Sequence, residues 1–342
     1  MEKQLHQQNA DFHALDLDIA SFFGLTDTSR VKKMAHIGLT ARSYLPKSDD
    51  PRSDWVASVA VPAFQTLAKR DIQAPNFCTI GTGAGLDALA AIEILNARNV
   101  ALTDLHKDVV AMARANILNN LKTDHDVELF SGAGDLFQPL SGISHLFDLI
   151  YENLPNIPIV GGVDISEDQA SSTFIEDRSE DIPGFVSQNL VALHYLILRE
   201  AASLLNDRGR VLSSIGGRIP LETILRLAGE TGYDGRILTY TWKIQSEPEE
   251  VIGGYAQWEN QGLGPFHFYP INVLNDIFND ISPAAAGQRA IEIEASLKSY
   301  QLNATAALAE YQKGMSFGHT VAVLESRKKC SGSVIPDTSI AC

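Results

Sequence analysis

The chain has 342 residues, 45% of them hydrophobic and 20% charged, the make-up expected of a soluble globular protein with one principal core and room for embellishments. A formal net charge of -15, with no basic run longer than Arg327-Lys328-Lys329, argues against DNA or RNA as partner and for a small-molecule or protein-tethered substrate. The cysteines are Cys78, Cys330 and Cys342, and neither the first residues nor any later run is long and apolar, so we expect no disulfide framework, no metal site, no membrane span and a cytoplasmic location, with the oligomeric state left open.

Residues 1–74 read as an N-terminal helical cap. Residues 11–23 carry apolar side chains at helical spacing, Thr40-Ala41-Arg42-Ser43-Tyr44-Leu45-Pro46 reads as loop, and residues 55–67 read as a second helix interrupted by Pro62. Such a cap either covers a ligand cleft or packs on a sheet edge. Residues 75–246 read as the core. Asn76-Phe77-Cys78-Thr79-Ile80 is a short strand meeting Gly81, Gly83 and Gly85, and Leu86-Asp87-Ala88-Leu89-Ala90 starts a helix. Glycine suits that turn because the backbone takes unusual dihedrals there and a side chain would hold a ligand away. Val100-Ala101-Leu102-Thr103-Asp104 is a second strand, and its closing carboxylate is placed to accept hydrogen bonds from a ribose. A helix over 107–119 follows, then Val127-Glu128-Leu129-Phe130, the turn Ser131-Gly132-Ala133-Gly134-Asp135-Leu136-Phe137, and Phe147-Asp148-Leu149-Ile150-Tyr151 running into Glu152-Asn153-Leu154-Pro155-Asn156. This alternation predicts a parallel sheet with helices on both faces and a ligand site beyond the carboxyl ends of the strands.

Residues 154–185, with Gly161-Gly162 and Pro183, read as a long loop at the mouth of that site. A helix is predicted over 186–205, a fifth strand over 209–218, a helix over 221–230 and a sixth strand over 236–245. Residues 247–317 read as an insertion suited to choosing a substrate, aromatic and glycine-rich at 253–258 and 264–270 and mostly helical over 284–311. Residues 318–326 give the last strand, a hairpin partner of the sixth, and 327–342 a polar tail.

Taken in order, Gly81-Thr82-Gly83-Ala84-Gly85, Asp104-Leu105, Asp135-Leu136-Phe137 and the Asp148-Leu149-Ile150 strand ending at Asn153-Leu154-Pro155-Asn156 resemble the class I S-adenosylmethionine (SAM) dependent methyltransferases over residues 75–240. The resemblance implies a Rossmann-like α/β fold with a mostly parallel seven-stranded sheet, helices on both faces, and SAM as cofactor. It implies that Gly81, Thr82, Gly83 and Gly85 pass under the methionine and ribose portions, that Asp104 and Leu105 meet the ribose, and that Asp135 and Leu136 meet the adenine. Asn153 stands at the Asn of the Asn-Pro-Pro-aromatic motif of amide and amine N-methyltransferases, whose carbonyls accept hydrogen bonds from the target nitrogen; the alternative is an Asn that only caps its turn. Leu154 and Asn156 depart from that motif, so neither a glutamine nor a nucleobase substrate is carried over.

Thr79 stands where many members of the family carry an acid that holds the ammonium of SAM. Either this is tolerated variation, or the amine itself is the nucleophile and closes a four-membered ring with loss of methylthioadenosine, the reaction of azetidine-2-carboxylate synthases. Ile215-Gly216-Gly217-Arg218, Gly232-Tyr233 and Thr241-Trp242-Lys243-Ile244-Gln245 are similar to the methyltransferase part of plant methionine S-methyltransferases, which implies a pocket for a free amino acid or for the aminobutyrate portion of SAM. Tyr151, Arg218 and Gln245 are therefore the substrate-binding candidates, with Arg218 either pairing a carboxylate or lying on the surface. Tyr195 joins Asn153 as a catalytic candidate, and Tyr255, His267 and Tyr269 are further pocket candidates. The expected function is SAM-dependent methyl transfer to a small amino-acid-like or natural-product nucleophile. The alternatives are the SAM cyclase and a non-catalytic SAM-binding module.

Overall fold

A computed structural model of the chain describes residues 13–123, 126–159 and 172–329; Gly161-Gly162, Cys330, Cys342 and the tail from residue 330 lie outside them. Strand β1 (His13–Asp18), the short helix α1 (Ile19–Phe22) and strand β2 (Met34–Leu39) come first, β1 and β2 pairing antiparallel. The cap is thus not all-helical. Leu15 and Leu17 alternate with Asp16 and Asp18, and a period of two puts the leucines on one face only in a strand. Helix α2 (Val61–Ala68) is preceded by a π-helical turn at Val56–Ala60, and Pro62 falls in its first turn, where no N–H is needed.

The core follows as β3 (Asn76–Ile80), α3 (Leu86–Ile94), β4 (Asn99–Asp104), α4 (Lys107–Asn120), β5 (Glu128–Ala133) and β6 (Phe147–Glu152). Two-residue strands β7 (Ile157–Pro158) and β8 (Phe174–Ile175) pair in parallel beyond it, inside the stretch expected to be loop. The helix expected over 186–205 is broken into α5 (Gly184–Gln188) and α6 (Ala192–Ala201), because Leu190 turns the backbone at a φ of +53°. Then come β9 (Leu205–Gly217), α7 (Leu221–Glu230) and β10 (Tyr233–Ile244). The 247–317 region holds α8 (Pro248–Asn260), β11 (Tyr269–Pro270), α9 (Ile271–Phe278), α10 (Pro283–Gln288), α11 (Ala290–Leu297) and α12 (Ala304–Tyr311), before β12 (Phe317–Lys328) closes the sheet.

The main sheet runs β10-β12-β9-β6-β3-β4-β5, with β11 beside β12. Strands β9, β6, β3, β4 and β5 pair in parallel, and β12 is antiparallel to both β9 and β10. Both faces are covered, so the central strands are near-continuous apolar runs rather than alternating ones. On one face Phe77 and Tyr151 meet Phe64 of α2 edge-on at 5.8 and 5.2 Å. On the other, Cys78, Ile80 and Ile150 pack with Leu196 and Ile197 of α6.

The β1–β2 pair is fastened to α4. Gly38 N–H donates to Asn116 Oδ1 at 2.8 Å and its carbonyl accepts from Asn116 Nδ2 at 2.8 Å. Asn120, one turn on, does the same for His36 at 3.0 and 2.9 Å. These two side-chain amides satisfy the outer edge of β2 as a neighbouring strand would. Asn116 also donates to Ala84 O at 3.0 Å, tying the hairpin to the glycine turn.

Candidate functional site

A cavity of about 530 Å³ opens at the carboxyl ends of β3, β4, β6 and β9. The strand order reverses between β3 and β6, and at such a switch point open α/β sheets hold their ligands. Gly81 and Gly83 floor it, at φ of +74° and +50°. A Cβ on Gly81 would lie 2.9 Å from Leu154 Cδ2, so the glycine turn and the Asn153 turn press against each other. Gly85 does not reach the cavity. It takes a φ of +82° ahead of α3, and a Cβ there would sit 3.2 Å from Ala113 O, so its task is the close approach of α3 to α4.

Asp104 lines the cavity and its carboxylate accepts from Gly83 N–H at 3.1 Å and His106 N–H at 3.3 Å. Burial holds its pKa above the usual carboxylate range in spite of those bonds. Thr82 and Leu105 stand beside it, and the Thr82 hydroxyl is buried without a partner.

The acid absent at position 79 arrives from α3. The Thr79 hydroxyl donates to Asp87 Oδ2, and Asp87, almost fully buried, lines the cavity next to the glycines. Burial pushes its carboxyl up to about 7, against the lowering effect of the Thr79 bond. Nothing local in the sequence marks Asp87, because its position on the inner face depends on where α3 starts.

At the other end, Asp135 and Leu136 line the wall, but both Asp135 oxygens accept from Arg178, from Nη1 and Nη2 at 2.9 Å each. Arg178 follows β8 and also bonds Glu180, so this fork latches the segment after β8 onto the β5 turn. Asn153 lies on the cavity wall, and the Asn156 Oδ1 there is buried and unpartnered. Tyr151 is a wall residue whose hydroxyl accepts from Ser214 Oγ at 3.1 Å, and burial pushes its pKa up, leaving it no use as a base.

Tyr195, expected at the site, lies off the cavity wall. Leu193, His194, Leu196 and Ile197 take the inner side of α6, which leaves Tyr195 half-buried under Arg199, outside the cavity. His267 and Tyr269 likewise stay off the wall, whereas Tyr255 and Gln245 are on it. The cavity is roofed by the stretch after β2, including Tyr44, Asp54 and Trp55, and by α8. Helix α8 comes this close through Gly254, where a Cβ would meet Ile157 Cγ2 at 3.3 Å.

Arg218, just beyond β9, is buried. Its Nη2 donates to Gln245 Oε1 at 2.6 Å and to His319 Nδ1 at 3.2 Å. An arginine only donates, so Nδ1 accepts and His319 is neutral; burial, then Arg218 and Lys243, hold its pKa well below the usual value. Lys243 is buried beside Trp55, and burial brings it down to about 8.

Among the described residues, no group of His, Cys, Asp or Glu is arranged to hold a metal and no helix is long and apolar enough to cross a membrane. No family model matches the chain. It is 26% identical over 192 residues to a release factor glutamine methyltransferase of Deinococcus radiodurans, a match spanning 55% of this chain and 60% of that protein. Among solved structures it overlaps a ribosomal protein L11 methylase of Lactobacillus delbrueckii (TM-score 0.35, 18% identity, 54% of this chain and 72% of that one). It also overlaps SMU.776 in complex with SAH (TM-score 0.39, 12% identity, 64% of this chain and 50% of that one). The sheet order and the placement of the motifs at the strand ends are those that the sequence resemblance implies.

Proposed function

We propose that this chain, built on the class I methyltransferase core, is a SAM-dependent transferase whose acceptor is a small amino-acid-like or natural-product nucleophile. The observation that carries the reading is the meeting, at one switch-point cavity, of the Gly81–Gly83 bend, the Asp104 carboxylate and the Asn153 turn. The residues fit the cofactor: a bend at positive φ that is left open at Gly83, a buried unpartnered hydroxyl at Thr82, and a carboxylate for the ribose at Asp104. When bound there, SAM supplies a carbon activated by a sulfonium.

Asp104 holds the ribose diol. Asp87 takes the ammonium, the task left open by Thr79, and the Thr79 hydroxyl steadies it by donating to the far oxygen. Asn153 presents carbonyl oxygens to an incoming nitrogen, and Asn156, with its unpartnered Oδ1, is a second acceptor. Trp55, Tyr255 and Leu154 keep water from the reacting atoms. A small acceptor is favoured by the cavity's size, about 530 Å³, which must hold both ligands. The Deinococcus protein acts, by its name, on a release factor glutamine; here Leu154 and Asn156 alter the turn that would grip such an amide.

One observation favours a second reading, ring closure of SAM's own amine. A carboxyl pushed up to about 7 is well matched to relieve an ammonium of its proton near neutral pH, and Asp87 is where that ammonium would lie. Incubating the protein with SAM and no acceptor, followed by mass spectrometry, separates the two. Methyl transfer predicts near silence until an acceptor is added and then S-adenosylhomocysteine; the cyclase predicts methylthioadenosine and a four-carbon cyclic amino acid from SAM alone. SAM left intact with every acceptor tried would overturn both and leave a binding module.

A further inference from the structure

Strand register sets Gly217 against Thr320 and His319 against Lys243, which lines up Arg218, His319 and Lys243 across β9, β12 and β10. Arg218, 7% exposed, stands over the rings of Tyr255 and Phe268 at 5.1 and 5.7 Å, and its Nε has no partner. Lys243, 1% exposed, holds its ammonium 5.2 Å from the Trp55 ring centre, also without a hydrogen-bond partner. The acid nearest in effect to Lys243 is Asp54, but its oxygens already accept from the backbone N–H groups of Lys47, Val56 and Ala57. Among the described residues no carboxylate bonds Arg218, whose partners are Gln245, His319 and the Tyr255 hydroxyl. A buried guanidinium without a counter-charge is costly, and proteins rarely keep one unless something anionic comes to it.

We infer that the Arg218 end of the cavity is a carboxylate subsite. Gln245 and His319 take both hydrogens of Arg218 Nη2 and fix the plane of the guanidinium, which leaves its charge and the Nη1 hydrogens for a carboxylate, and Lys243 adds positive charge from behind. For the identity of the ligand the inference rests on the SAM reading, which leaves two sources. One is the carboxylate of SAM's aminobutyrate portion; the other is that of an acceptor amino acid.

Calorimetry distinguishes them. SAM, S-adenosylhomocysteine and methylthioadenosine, the last without a carboxylate, are titrated into wild type and Arg218→Gln. Free L-amino acids and their carboxamides are titrated into the same proteins, unloaded and loaded with S-adenosylhomocysteine. A loss of about 10- to 100-fold for SAM and S-adenosylhomocysteine, with methylthioadenosine unchanged, assigns the subsite to SAM itself. Unchanged SAM affinity, with wild type favouring an acid over its amide by a like factor and the variant losing that preference, assigns it to the acceptor. The inference fails if neither arm moves, or if methylthioadenosine loses as much as SAM. If none of the three nucleosides binds, the SAM reading fails instead, and the amino-acid arm on unloaded protein decides the subsite alone. Because Arg218 packs on two rings, Arg218→Lys serves as second variant; it keeps the charge, loses the fixed guanidinium plane and should show the same loss at smaller size.

Discussion

Asp87 is where one residue's environment sets a measurable pH dependence. Its carboxyl keeps a proton up to about 7 in the folded chain but gives it up near the ordinary value of 3.8 once unfolded. The native state therefore binds the extra proton between those values. Stability falls as pH rises through that window and is flat on either side. Urea unfolding of wild type and Asp87→Asn should show this slope in the first and its loss in the second; an equal slope in both would clear Asp87 of the effect. The same ionisation should couple to ligand. An ammonium prefers the charged carboxylate, so SAM affinity should rise from about pH 6 to about pH 8 while methylthioadenosine affinity, with no ammonium to pair, stays level. Asn153→Ala should spare SAM binding and lower kcat by about 100-fold, as the loss of one positioned polar group commonly does; weakened SAM binding with intact turnover would reverse the assignment. The sequence made Asp104, Gly81 and Gly83 legible because they lie at strand ends, where backbone pattern alone gives the direction. Tyr195 and Asp87 sit on helices, and a wrong phase of one residue, about 100°, moves a side chain from the cavity to the outside.

Among the elements, the N-terminal hairpin is the part the sequence hid most. Its leucines alternate with aspartates over only a few residues, too short a run to outweigh the helical spacing that continues into Ile19 and Phe22. Besides its buried Leu17, Ala35, Ile37 and Leu39, the amides of Asn116 and Asn120 on α4 fasten it in place. Replacing either with Ala leaves a β2 edge unsatisfied and should cost about 1–3 kcal/mol in chemical denaturation. Only Asn116→Ala should also weaken SAM binding, because only Asn116 reaches Ala84 in the glycine turn. Equal effects of the two on SAM would show that the hairpin and the turn are not linked. The break between α5 and α6 and the helical character of 253–258 were illegible for a different reason. Leu190 holds a backbone conformation rare for its type, and Gly254 of α8 answers to Ile157, a contact no local pattern records.

At the scale of the whole molecule, the sheet was the most readable feature, since a parallel sheet covered on both faces needs unbroken apolar strands separated by crossover helices. The return of β12 between β9 and β10, rather than merely beside β10, was not written in any local segment. That insertion matters for the site, because it brings His319 and Lys243 up to Arg218 and divides the cavity into a glycine end and a basic end. The proposed function puts the nucleoside at the first end, with Asp104 as its anchor. Titration calorimetry of SAM into wild type and into Asp104→Ala tests this most directly. The predicted result is saturable one-site heat for wild type and binding weaker by about 10- to 100-fold for the variant. No heat with well-folded wild type, or the same affinity in both proteins, would contradict it.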